Sequence, residues 1–148
     1  MTVLGVETAT AVCAAALVVD GQAIAEEMVN QRFVHAEKLM SLIQDVLTRS
    51  DRGSGDLDGI AVSIGPGSFT GLRIGLAAGK GLSYSLDKPL IAVPTLEALA
   101  LRTALGGNVP DGTFILPVID ARRNEVYTQL FRFGSETLVA VWEPRDVR

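Results

Sequence analysis

The sequence predicts an α/β fold built from two related halves, the second of them cut short. Three observations carry that prediction. A meander of three strands opens twice, and in both cases its first apolar strand closes on an acidic residue, Glu7 and then Asp120. Between the two meanders strand patterns alternate with helical patterns, the order of an α/β sheet. The apolar run at residues 60–64 leads through Gly65-Pro66-Gly67-Ser68-Phe69-Thr70-Gly71 into a long helical run.

Taken in order, residues 3–8 are apolar and β-branched, residues 9–10 form a short turn, and residues 12–19 form a second strand. Asp20-Gly21 is a strong hairpin signal and residues 22–29 return as the third strand. The first two runs are nearly continuous in apolar residues, so cover on both faces is expected. Residues 35–50 read as an amphipathic helix. Ala36, Leu39, Met40, Ile43, Val46 and Leu47 form its apolar side, and Glu37, Lys38, Ser41, Gln44 and Asp45 cover the other. Asp51-Arg52-Gly53-Ser54-Gly55 ends it with turn chemistry.

The strand at 60–64, the glycine turn and a helix to about Leu86 follow. Pro89 stops that helix, residues 90–93 form a short strand, and Thr95 is the expected N-cap of a third helix to about Ala104. Residues 106–112 make a loop. Strands at 114–119, 125–132 and 137–142 then repeat the opening meander, with Gly134-Ser135 as a turn. The expected division is a first α/β subdomain at 1–105 and the start of a second at 106–148. Three strands with one uncovered face are poorly stable alone, so further chain or a partner is expected over that face.

Composition excludes several functions. The 148 residues are 48% hydrophobic, enough for a buried core, and carry a net charge of −4. That charge argues against a large direct nucleic-acid face, because affinity for phosphates comes mainly from Lys and Arg. The eight aromatic residues are scattered, which argues against a base-stacking platform. A single cysteine, Cys13, excludes an internal disulfide framework, and its apolar neighbours read it as a small buried hydrophobe. No basic segment precedes the first apolar run and no long run is free of charge, so neither a signal peptide nor a membrane helix is expected. A cytoplasmic location fits.

The glycine turn is the most informative motif. A strand, a glycine turn and a helix start together present free backbone N–H groups to an anion. The spacing fits neither standard phosphate loop. Leu72-Arg73 follow Gly71 where a Walker loop needs Lys and Ser or Thr, and Thr70 stands where the dinucleotide pattern needs its third Gly. The other reading is a tight turn that permits close helix–strand packing. Within the helix, Gly71, Gly75 and Gly79 recur on one face. Each costs up to about 1 kcal/mol in a helix interior. Another backbone must therefore come close, either the chain's own sheet or a partner's helix.

One histidine, His35, cannot form a multi-histidine metal centre, so it reads as a capping or partner-contact residue. No G-x-S-x-G elbow is present. Arg122 and Arg123 sit in the hairpin after Asp120, as a solvated tip, a partner salt bridge or a contact to phosphate.

Three stretches together carry a family resemblance: Val6-Glu7-Thr8-Ala9-Thr10, the segment from Gly65 to Gly75, and Ile119-Asp120-Ala121-Arg122-Arg123-Asn124-Glu125-Val126-Tyr127. In order and spacing they resemble the TsaB family, accessory subunits for threonylcarbamoyl-adenosine formation in bacterial tRNA. The resemblance covers nearly the whole chain. It implies the fold of actin, sugar kinases and heat-shock ATPases, with two related βββαβα halves.

The resemblance also implies a function. Members of the family are regarded as non-catalytic. They pair with the related TsaD subunit, which carries a metal and transfers threonylcarbamoyl from its adenylate to adenosine 37 of ANN-decoding tRNAs. The ATPase TsaE docks on that pair. For this chain the expectation is a scaffold with no catalytic residue, no metal and no cofactor, touching tRNA only through the complex and forming a homodimer when alone. The expected partner face takes in His35, Leu39, Met40, Ile43, Gly71, Leu72, Gly75 and Gly79, although Leu39, Met40 and Ile43 fit a core equally well.

Active relatives of this fold use a strand-end Asp near a metal and a small hydroxyl residue near phosphate. The matching positions here are Glu7, Thr8 and Thr10, with Gly67 and Asp120, and they form a candidate nucleotide-binding set. The competing reading has Glu7 and Asp120 capping backbone N–H groups at tight turns. Two departures stand out: Glu7 replaces the usual Asp, and family members run well beyond this length. The alternative function is a free-standing ATPase or phosphotransferase of the same fold. A metallopeptidase would need ligands that one histidine cannot supply.

Overall fold

Asp20 and Gly21 take the left-handed backbone of a two-residue hairpin turn, with φ of 49° and 83°. That turn sets β2 (Val12–Val19) against the strand that follows it, while residues 8–11 turn β1 (Thr2–Glu7) back onto β2, Leu4 opposite Leu17 and Val6 opposite Ala15. The computed structural model describes residues 1–31, 34–107 and 109–147; Asn108 of the expected loop lies outside them. The third strand, β3 (Gln22–Asn30), runs antiparallel to β2 with a bulge at Leu17/Val18. On the other side of β1 lies β4 (Gly59–Gly65), parallel to it, with Leu4 opposite Ile60. With β5 (Leu90–Pro94) the sheet order is β3-β2-β1-β4-β5.

The helical period of residues 35–50 appears as α1 (His35–Arg49). Its Leu39, Leu42, Ile43, Val46 and Leu47 bury against Leu4, Val6, Cys13, Ala15 and Leu17. Each such buried leucine contributes about 1.5–3 kcal/mol. The second helix, α2 (Phe69–Leu86), adds Ile74, Leu76, Ala78, Leu82 and Leu86 to the margin of the same core. Ser68 caps its start, its hydroxyl accepting from the N–H of Gly71 at 3.3 Å, and Asp87 ends it with a left-handed φ of 53°.

Cover on both faces of β1 and β2, expected from their apolar runs, is not what this unit supplies. Its two helices lie on the face of Leu4 and Leu17. The alternate positions Val3, Gly5, Ala14, Ala16 and Val18 are only half-buried. Small side chains at three of them leave little apolar surface exposed, which is why near-continuous apolarity here does not require two covering layers.

The chain divides into two compact units, Met1–Ile64 with Ser68–Val93, and Gly65–Gly67 with Pro94–Arg148. The division places α3 (Thr95–Gly106) with the second unit, not the first as the boundary at 105 assumed. The reason is packing: Leu96 and Ala100 bury against Ile119 and Phe131, with Leu99, Ile115, Tyr127 and Leu138 around them. Thr95 is the first helical residue, not the cap. Pro94 holds the cap position, and the Thr95 hydroxyl accepts from the N–H of Gly65 at 3.2 Å instead.

The second meander is more broken than its sequence suggests. The expected strand at 114–119 is β6 (Phe114–Ile115) and β7 (Val118–Arg122), interrupted at Leu116-Pro117, where proline has no N–H for the ladder. The strand at 125–132 is likewise β8 (Glu125–Thr128) and β9 (Phe131–Gly134). Register passes unchanged through the interruption, Ile115 facing Phe131 and Val118 facing Thr128. The return is β10 (Thr137–Ala140) on β9, then β11 (Arg145–Val147) on β8. Arg123 and Asn124, with φ of 54° and 62°, and Ser135 and Glu136, with φ of 52° and 60°, form two more hairpin turns of this type. Phe114, Val118, Val139 and Val141 of this unit stay exposed. Among the described residues no helix is long and apolar enough to cross a membrane.

Candidate functional site

The strand-end turn after β1 is built by backbone and side-chain bonds within the first unit. Glu7 sends its carboxylate back over its own turn. Oε1 accepts from the N–H of Ala9 at 2.5 Å, and Oε2 accepts from the hydroxyl of Ser63 on β4. The Thr10 hydroxyl accepts from the N–H of Val12 at 3.2 Å. The Thr10 carbonyl lies 3.0 Å from Nε2 of His35, and since a carbonyl only accepts, that nitrogen carries the proton. The Ala9 carbonyl accepts from the N–H of Ser68 at 2.7 Å, which ties the turn to the start of α2.

Thr8 is fully buried beneath α2. Gly71 lies so close that a Cβ there would sit 2.0 Å from the Thr8 carbonyl oxygen. One at Gly75 would sit 2.2 Å from the Thr8 hydroxyl. Gly79 is looser, its added Cβ meeting the tip of Leu90 at 3.1 Å. The Thr8 hydroxyl has no hydrogen-bond partner. Of the three glycines, Gly71 meets the backbone of the chain's own strand-end turn, Gly75 the Thr8 side chain, and Gly79 the side chains of Leu90 and Val62.

Several residues expected on a partner face are interior. Leu39 and Ile43 are core residues, because their spacing on α1 points them at β1 and β2. His35, Gly71, Gly75 and Gly79 are buried and Leu72 is half-buried. Met40 is exposed. The outer surface of α2 instead presents Phe69 at 74% exposure and Tyr84 at 91%, with Arg73 and Lys80 between them. The Arg73 guanidinium lies 5.5 Å from the Phe69 ring centre, a cation–π contact one helical turn apart.

Asp120 and Gly67 fall in the second unit. The Asp120 carboxylate accepts from the N–H of Arg122 at 2.7 Å, so it braces its own hairpin. That hairpin holds Arg122, Arg123 and Asn124 at φ of 68°, 54° and 62°. Cys13 is buried, and its burial, with the Glu7 carboxylate as a second cause, pushes its thiol pKa up. Among the described residues no three His, Cys, Asp or Glu side chains gather as a metal-binding group.

Sequence reasoning did not single out Ser63, Ser68, Phe69 or Tyr84. Ser63 was legible as a polar residue inside an apolar strand, and Ser68 as the hydroxyl residue before a helix. The exposure of Phe69 and Tyr84 follows only from which face of α2 the glycines bury.

Comparison with known proteins gives consistent results. The family model "TsaD: tRNA N6-adenosine threonylcarbamoyltransferase" matches residues 24–145. The chain is 37% identical over 147 residues to the tRNA threonylcarbamoyladenosine biosynthesis protein TsaB of Bacillus subtilis, covering 99% of this chain and 62% of that protein. It is 39% identical over 127 residues to TsaB of Escherichia coli, covering 86% of this chain and 53% of that protein. Among solved structures, YeaZ from Pseudomonas aeruginosa superposes with a TM-score of 0.89 at 29% identity, covering 99% of this chain and 67% of that one. The chain thus spans between about half and two thirds of the length of these proteins.

Proposed function

The chain belongs to the family of TsaD, the tRNA N6-adenosine threonylcarbamoyltransferase, and is TsaB- and YeaZ-like within it; from that premise we propose that it is a non-catalytic subunit of a tRNA threonylcarbamoyladenosine assembly. Its role is architectural. It pairs with a TsaD-like transferase subunit through the outer face of α2 and the adjoining exposed edge of α1. The pair receives a TsaE-like ATPase, meets tRNA through the complex, and works in the cytoplasm. Alone, the chain pairs with a second copy through the same face.

The observation that carries the pairing is the surface of α2. Phe69 and Tyr84 expose large aromatic rings beside Arg73 and Lys80 on a helix whose opposite face is pinned to the sheet by glycines. Aromatic and arginine side chains on a rigid element are the usual anchors of a protein interface. A free-standing ATPase gains no comparable support, since Glu7 and Thr10 of the strand-end turn bond to the chain itself and the Thr8 hydroxyl is buried under α2.

Size-exclusion chromatography with light scattering tests this reading, with and without a TsaD-like protein from the same source. The expected result is a self-associated chain that converts to a heterodimer, and loss of that conversion in Tyr84→Glu without loss of helix content. Indifference to the TsaD-like protein would overturn it.

A further inference from the structure

Active members of this fold hold metal-bound phosphate at the turn that follows the first strand, with a carboxylate and a small hydroxyl. The residues of that turn here do not fit the task. Each Glu7 oxygen accepts a bond that turns the carboxylate back onto its own strand end, from the N–H of Ala9 and the hydroxyl of Ser63. The Thr10 hydroxyl accepts from Val12, and the Ser68 hydroxyl caps Gly71. Thr8 is wholly buried, with α2 lying over it.

We propose that this turn is a seat for α2 and takes no magnesium–phosphate group. Gly71 rests on the Thr8 carbonyl and Gly75 on the Thr8 hydroxyl, each too close for any Cβ. Ser68 donates to Ala9 at the same end. Together these contacts put helix backbone against the hydroxyl that a phosphate would need. The buried hydroxyl, left without a partner, is the remainder of this arrangement. The block is the helix, not the extra methylene of Glu7, so restoring Asp at position 7 does not reopen the turn. Nothing in this seat depends on a partner subunit.

The distances at the two glycines differ in a way that makes the seat testable. At Gly75 the clash is with the Thr8 side chain, and the Thr8 Cβ itself lies at an ordinary 3.4 Å. At Gly71 the clash is with the Thr8 backbone. Gly75→Ala should therefore lower the melting temperature by roughly 10 °C, and Thr8→Ala in that background should return more than half of the loss. Gly71→Ala should fall as far and gain nothing from Thr8→Ala. Gly81→Ala, with open space around its Cβ, serves as the control and should not fall. In parallel, calorimetry of the full chain with magnesium ATP should give no saturable heat for the wild type or for Glu7→Asp, whether or not the glycine variants fold. Equal failure of rescue at both glycines would overturn the seat. Magnesium-dependent ATP binding that disappears in Thr8→Ala would overturn the exclusion of phosphate.

Discussion

The hydroxyl of Ser63 donates to Oε2 of Glu7, joining the ends of β4 and β1 beside the turn that seats α2. Ser63 is buried, and Glu7 takes its second bond from the N–H of Ala9. Removing the hydroxyl leaves one carboxylate oxygen short of a donor in a half-buried place. A hydrogen bond to a charged group contributes about 1.5–3 kcal/mol. Ser63→Ala should lower unfolding stability by an amount near the bottom of that range in urea titration, with an unchanged slope, while Ser63→Thr keeps most of it. Residues sharing one bond are coupled, so Glu7→Ala with Ser63→Ala should cost less than the sum of the singles. Strict additivity would show that the bond contributes nothing.

Cys13 lies opposite Val29 on the strand pair β2–β3 and is fully buried. Burial first, and the Glu7 carboxylate second, raise its pKa above the ordinary thiol value. The thiolate is the reactive form. A soluble thiol reagent at neutral pH should leave the folded chain unlabelled and label one site in denaturant. The sign of the shift also fixes a pH dependence. A raised folded-state pKa contributes stability below the unfolded value, and that contribution fades as pH rises through the folded one. Cys13→Ala should flatten the alkaline side of the stability profile, and rapid labelling of the native chain would contradict the burial.

At the far end of the first hairpin, the N-terminal ammonium and Asp20 form an exposed ion pair at 2.5 Å, and the Asp20 N–H donates to the Met1 carbonyl. The hydrogen bond from the ammonium holds the Asp20 pKa below its ordinary value, and the same bond raises that of the ammonium. The pair is present above the usual aspartate range and is lost as pH falls through the lowered Asp20 value. At the other end it is lost as pH rises through the raised ammonium value. Both groups are exposed, so the effect on stability is small. Its signature is the coupled titration itself: Asp20→Asn should lower the pKa of the N-terminal amine in an NMR titration, and an unmoved amine would refute the pair.

Local pattern carried most of the elements. The 3.6-residue period of α1, the Asp20-Gly21 hairpin and the apolar runs of β1, β2 and β4 each depend on neighbours a few positions away, so they are legible in order along the chain. Glu7 closing β1 was legible too, and so was the capping role of Glu7 and Asp120 as one of two readings, but Asp120, read as a strand end, lies inside β7. Less was legible where a distant group decides the outcome. Pro117 split a strand that apolarity alone would run through, and the pairing partner across the break had to follow it. The boundary moved from residue 105 because Leus 96 and 99 found their partners some twenty to forty positions later, in β7, β9 and β10.

The sequence by itself determined that three glycines share one face of α2 and leave room there for a close approach, because glycine carries no Cβ. It did not determine what fills that room, and a backbone does so at Gly71 alone. Tertiary structure chose Thr8, since the parallel pairing of β1 with β4 brings the end of β1 beside the helix that follows β4. That choice buried Thr8 and the interior face of α2, and left Phe69, Arg73, Lys80 and Tyr84 on the outside. A period in the sequence fixes which residues share a face; only the packing of distant strands fixes what that face meets.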